Sequence, residues 1–149
     1  MSRRSGRVML AALAALALVA CEPKHNGAVV ADVSPAGWSA EEVVELCYHN
    51  LDTLTKRNVW VVARAEANHN HPPVELQVEC MAPDSVCLEG SVVLRPTQHK
   101  GGSFVELRAR WIEEAVPAKV GDYFFRLSHK GDQPIEGVWN VGVEFVIEN

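Results

Sequence analysis

The sequence predicts an all-β domain, a two-sheet antiparallel sandwich of about seven strands, and three observations predict it. The first is the stretch from Gly121 to Glu148, which reads as two amphipathic strands joined by a turn. Tyr123, Phe125 and Leu127 alternate with Phe124, Arg126 and Ser128, and Trp139, Val141, Val143, Phe145 and Ile147 alternate with Asn140, Gly142, Glu144 and Glu148. That two-residue period is what a strand buried on one face requires. Residues 129–134 (HKGDQP) carry the Gly, Asp and Pro of a turn, so a hairpin is expected there. The second observation is that the same alternation returns along the upstream chain between turn residues. The third is length, since 149 residues have room for one domain with an ordinary core.

The strands follow in order. Residues 39–51 (SAEEVVELCYHNL) are ambiguous: Ser39 with Glu42 makes a capping box and Val43, Val44, Cys47, Leu51 and Leu54 share a helical stripe, yet Val44, Leu46 and Tyr48 alternate as a strand would. The alternative fold is therefore α+β, with an N-terminal helix over Ser39 to Leu54 packed on an antiparallel sheet. Asn58 to Ala67 (NVWVVARAEA) reads as a strand, and residues 68–73 (NHNHPP) as a loop, because the paired prolines cannot donate to a ladder. Val74, Leu76 and Val78 alternate with Glu75, Gln77 and Glu79, and Val86 to Leu94 is a further strand with Gly90 a candidate bulge. Residues 98–102 (QHKGG) turn the chain, and Val105, Leu107, Ala109 and Trp111 then face away from Glu106, Arg108 and Arg110. With the Val43 segment as a strand, this makes seven, the number of an Ig-like sandwich.

The N-terminus has a different character. Arg3, Arg4 and Arg7 precede an apolar run of thirteen residues, Val8 to Ala20, which is short for a mature bilayer span and suits a secretory signal. The run ends Leu18-Val19-Ala20-Cys21, which resembles the lipobox of bacterial lipoproteins, so Cys21 is the expected lipid attachment site after removal of residues 1–20. Residues 21–37, with Gly27, Pro35 and Gly37 and no sustained period, are expected to form a lipidated tether, and 38–149 the folded domain. Losing residues 1–20 removes three arginines, leaving 11 basic against 19 acidic side chains and a net charge of −8. Nucleic acid is excluded as a partner on that balance.

Candidate chemistry is sparse. Cys80 and Cys87 flank a turn-like segment, and a disulfide between them would contribute about 2 kcal/mol by loop entropy; two reduced, packed cysteines are the alternative. Cys47 is then unpaired, and no local motif marks it as a nucleophile. His69 and His71 would place two rings on one side of an extended segment, but nothing selects a third ligand from His49, His99 or His129, so they read as solvated loop histidines and no metal site is expected. Nucleophile-elbow, phosphate-loop and metalloprotease motifs are absent from the sequence, so neither a catalytic residue nor a cofactor is predicted. Of the four tryptophans, Trp111 and Trp139 sit on apolar faces and read as core, and Trp60, on the opposite face from Val59, Val61 and Ala63, is the candidate glycan platform.

Residues 116–125 (VPAKVGDYFF), 127–130 (LSHK) and 135–143 (IEGVWNVGV) resemble the closing signature of the GldH-type gliding-motility lipoproteins of the Bacteroidetes. Trp38 before an acidic pair, the strand from Asn58 and the proline-bearing loop before Val74 fit the same pattern, although Arg64-Ala65 and His71-Pro72-Pro73 depart from it. The resemblance covers nearly the whole chain. It implies an all-β domain, several acyl chains on Cys21, residence in the cell envelope at the outer membrane, and partners among the envelope motility or secretion proteins. It implies no enzyme activity.

Overall fold

The structure is a computed structural model that describes residues 26–67, 72–97 and 102–148. Alternating apolar residues in these segments become eight strands: β1 (Gly27–Asp32), β2 (Val44–Asn50), β3 (Arg57–Glu66), β4 (Val74–Met81), β5 (Cys87–Pro96), β6 (Phe104–Ala115), β7 (Gly121–Ser128) and β8 (Val138–Val146). No helix occurs among the described residues, so the domain is all-β as expected. The helical alternative for residues 39–54 gives way because β2 ladders along its whole length with β7. Val44 and Leu46 enter the core while Glu45, Cys47 and His49 face out. The capping box is spent on a turn instead, with the Glu42 N–H donating to the Ser39 carbonyl at 3.1 Å.

All pairings are antiparallel, in the order β1-β8-β3-β6-β5-β4-β7-β2. The sheet is continuous because β5 serves both halves: residues 87–94 ladder with β4, and Arg95 and Pro96 pair with Arg108 and Leu107 of β6. It curls until its two edge strands, β1 and β2, come into contact. Inward residues of every strand except β1 then share one core, with Leu46, Val61, Leu76, Leu94, Leu107, Leu127 and Val143 all buried there. β1 adds Val29 and Ala31 at its margin.

Four expectations change. The hairpin over Gly121 to Glu148 is not one: β7 pairs with β2 and β4, and β8 with β1 and β3, so the two strands lie in opposite halves of the sheet. Their connection is held from elsewhere, by the reciprocal bridge between Trp38 and Ile135, at 2.8 and 2.9 Å, and by the Gly137 N–H on the Pro35 carbonyl at 2.8 Å. The tether also ends earlier than composition implies, since Gly27–Asp32 forms β1 along the β8 edge; the eighth strand is this one. Trp139, read as core, is 42% exposed. The register of β3 against β8 slips between Arg64↔Asn140 and Ala65↔Val138, so Trp139 is the extra residue of a bulge and Val138 takes the inward position. Gly90, by contrast, sits in regular register opposite Val78 and is no bulge; a Cβ there would lie 2.6 Å from Trp111 Nε1, so glycine makes room for the indole.

The β1–β8 seam is equally tight. A side chain at Gly142 would collide with the Val29 carbonyl oxygen and come within 2.8 Å of a Val30 methyl, and both obstacles belong to β1. Gly142→Ala is expected to push β1 away at a cost of about 1–3 kcal/mol. Amide hydrogen exchange should then accelerate over residues 27–32 while β4 and β7 keep their protection, and unchanged exchange in β1 would show that the contact is not limiting.

Candidate functional site

The two ends of the curled sheet differ. At one end Trp38, 1% exposed, is buried among the loops, with its Nε1 donating to the Glu42 carbonyl at 2.8 Å. Its ring meets His129 edge-on at 5.2 Å between centroids. The buried His129 closes the contact through Nε2, 2.7 Å from the Trp38 carbonyl oxygen, while its Nδ1 accepts from the Gly131 N–H at 3.2 Å. This end is sealed.

At the other end, where β1 begins and β8 finishes, lies an apolar pocket of about 250 Å³. Its walls come from β2, β3, β4, β5, β6, β7 and β8, and the aromatic part is continuous: Tyr48 stacks on Phe145 at 4.1 Å, Phe125 meets Phe145 at 5.8 Å, and Trp111 meets Phe125 at 6.4 Å. Each is the inward residue of its strand near the pocket end, so the alternation that builds the core also lines the cavity. Leu88, Val86 and Val116 line it while remaining exposed, which makes the mouth apolar as well.

The polar groups at its margin bond to one another. Asn50 Nδ2 donates to the Lys119 carbonyl at 2.9 Å, and Tyr123 Oη donates to that carbonyl at 3.1 Å and accepts the Lys119 N–H at 3.2 Å. Asp52 gathers the β2–β3 loop: its Oδ1 accepts the Leu54 and Thr55 N–H groups at 2.9 and 3.0 Å, and its Oδ2 accepts Thr55 Oγ1 at 2.5 Å and Arg57 Nη2 at 3.3 Å. Those hydrogen bonds, with Thr55 Oγ1 foremost, hold the Asp52 carboxyl well below the usual carboxylate range. Among the described residues only two buried side-chain polar atoms lack a partner, Trp60 Nε1 and Arg108 Nε, and both lie on the outer face of the sheet.

The residues singled out from sequence are scattered. Cys21, His69, His71 and His99 lie outside the described residues. Cys80 and Cys87 are free thiols. The β4–β5 register sets Cys80 opposite Leu88 and Cys87 opposite Met81, so strand alternation sends the two sulfurs to opposite faces. Burial pushes the Cys80 thiol up to about 11, with Cys87 adding to the shift. Cys47 is exposed beside Asp122, which in turn holds His49 Nδ1 at 2.7 Å. The aspartate therefore stands between the thiol and the imidazole; desolvation and Asp122 raise the thiol rather than activating it. Trp60 is no open platform, because the Arg108 guanidinium lies 4.3 Å from its ring centroid and Arg110 5.7 Å. No group of three or more His, Cys, Asp or Glu suited to a metal occurs among the described residues. An open cleft of about 800 Å³ runs past Pro72, Pro73, Lys130 and Glu136, and the ring of its buried histidine, His129, is committed to Trp38 and Gly131.

Two outcomes test this geometry. Asp52 has a lowered folded-state value against about 3.9 in an unfolded chain, so its contribution to stability is complete above about pH 4 and is lost as pH falls toward the folded value. Asp52→Asn should lower the melting temperature at pH 7, and the gap from wild type should narrow below about pH 4; a gap independent of pH would contradict the assignment. At pH 8 a thiol with a value near 11 is only about one part in a thousand thiolate. Iodoacetamide followed by mass spectrometry should thus modify exposed Cys87 well before Cys80, and a folded protein two mass units short with both unreactive would instead reveal a disulfide.

No protein-family model, no curated protein and no solved structure matches the chain.

Proposed function

We propose that the protein is a lipid-anchored, non-enzymatic component of the cell envelope, attached through Cys21 at the outer membrane and serving the gliding-motility machinery and its secretion apparatus. The motility role rests on the resemblance of residues 116–143 to the GldH-type lipoproteins, and the anchor rests on the charged start, the apolar run and the Leu-Val-Ala-Cys motif. The observation that carries the reading is the position of β1 at the open end of the sheet. Gly27 is already laddered to Phe145, so Cys21 would hold the open end of the sheet at the membrane on a very short leash. The net charge of −8 after residue 20 would oppose adsorption to anionic lipid, which leaves attachment to the acyl chains.

The domain is read further as an Ig-like sandwich. Two runs, β1-β8-β3-β6 and β5-β4-β7-β2, face each other over one core, and only two residue pairs join β5 to β6. The raised Cys47 thiol argues against that residue as a nucleophile. A second reading, a ligand-binding envelope lipoprotein, draws support from the open-end pocket, whereas its glycan form is weakened by the arginines over Trp60.

Cys21→Ala tests the first reading. The variant is expected to keep the wild-type unfolding curve, leave the membrane fraction and abolish gliding in cells. Retention on membranes after a high-salt wash, with residues 1–20 removed, would overturn the anchor, and normal gliding by a released protein would overturn its role.

A further inference from the structure

We propose that the open-end pocket binds one hydrocarbon chain of a single-chain amphiphile, the chemistry of a fatty acid. The volume of about 250 Å³ holds about eight water-sized groups at about 30 Å³ each, and a methylene is of similar size. Its wall is made of Tyr48, Trp111, Phe125 and Phe145 rings with Val59 and Ile112 between them. The polar side chains Asn50, Arg57 and Tyr123 on its margin bond to the protein itself. A sugar or other hydrogen-bonding ligand would shed water against the aromatic wall and meet charged side chains only at the exposed rim, Asp84 and Lys119, while an alkyl chain sheds none that it needs.

The mouth continues the same chemistry. Exposed Val86, Leu88 and Val116 extend the apolar track outward, and the loop between Asn50 and Arg57 presents Leu51 and Leu54, 74% and 88% exposed. Lys119, exposed on the same rim, suits a carboxylate head left in water. The start of the described chain is also at this end, since Asn26 Oδ1 accepts the Ile147 N–H at 2.8 Å and Gly27 pairs with the pocket residue Phe145. Four residues lie between Cys21 and Asn26, and the five residue steps span at most about 18 Å when extended. A chain attached at Cys21 and a chain on a free amphiphile therefore both come within reach. The hydrocarbon site does not depend on acylation of Cys21.

The test titrates the full chain bearing Cys21→Ala with the fluorescent fatty acid cis-parinaric acid, then displaces the probe with alkanoates of increasing length. Saturation at one probe per chain is expected, with affinity rising about fourfold per methylene up to about eight methylenes and levelling beyond. In the same background Ala118→Trp, at an exposed position of the mouth, should weaken binding at least about tenfold without moving the unfolding curve, and Leu88→Glu serves if the tryptophan variant fails to fold. Trp139→Ala, at the sealed end, should bind as the parent does. Protein purified from membranes with Cys21 intact separates the sources: refusal of the probe there, with uptake by Cys21→Ala, means the attached chain fills the pocket, and equal uptake means the occupant is a free amphiphile. Absence of saturable binding by Cys21→Ala, affinity indifferent to chain length, or full binding by a folded, mouth-blocked variant would each overturn the proposal.

Discussion

The contact between Trp38 and His129 is the constraint on which the arrangement of the sheet depends. It joins the segment before β2 to the passage from β7 to β8, and it does so with a buried ring, a buried imidazole and four hydrogen bonds to or from the Trp38–Ile135 pair and its neighbours. The Trp38 carbonyl accepts from both the Ile135 N–H and His129 Nε2, and the buried ring N–H of His129 would be costly to leave without that acceptor. Because the 129–137 passage is pinned there, β7 and β8 leave it toward opposite halves, and the two inner faces are brought over each other. With that end locked, the apolar pocket lies at the far end, where β1 begins and β8 finishes.

Much of the local structure was legible in the residues. The inward sets Leu76 and Val78, Phe125 and Leu127, and Val141, Val143 and Phe145 follow directly from alternation, because burial on one face leaves a period of two wherever a strand is regular. Alternation says nothing about who pairs with whom. Residues 129–134 carry good turn chemistry, yet a turn only reverses the chain, and whether the next strand returns beside the last or crosses the core is decided by Trp38, ninety-one residues away from His129. β1 was missed for a related reason: six residues with glycine first and aspartate last have little propensity of their own and become a strand because the β8 edge is available.

The bulge at Trp139 shows how a single irregular residue defeats a periodic reading. Up to Val141 the pattern is correct, and one extra residue then moves the largest side chain of the strand outward, where its Nε1 donates to Glu66 at 3.0 Å and its ring meets Phe104 at 6.0 Å. The pocket was illegible for the opposite reason. Its lining joins inward positions on seven strands to residues of the β4–β5 and β6–β7 connections, and no periodic pattern links them, so the cavity exists only in the sum.

The place of β1 bears on how the domain is made. Its sole ladder partner is β8, so the first strand of the described chain and the last are neighbours in space. A chain emerging from a ribosome or threading a translocase N-terminus first presents β1 more than a hundred residues before the strand that will hold it. The N-terminal strand must wait for the C-terminal one, and closing that long loop is entropically slow. Completion of the sheet is thereby tied to arrival of β8 in the same compartment as β1.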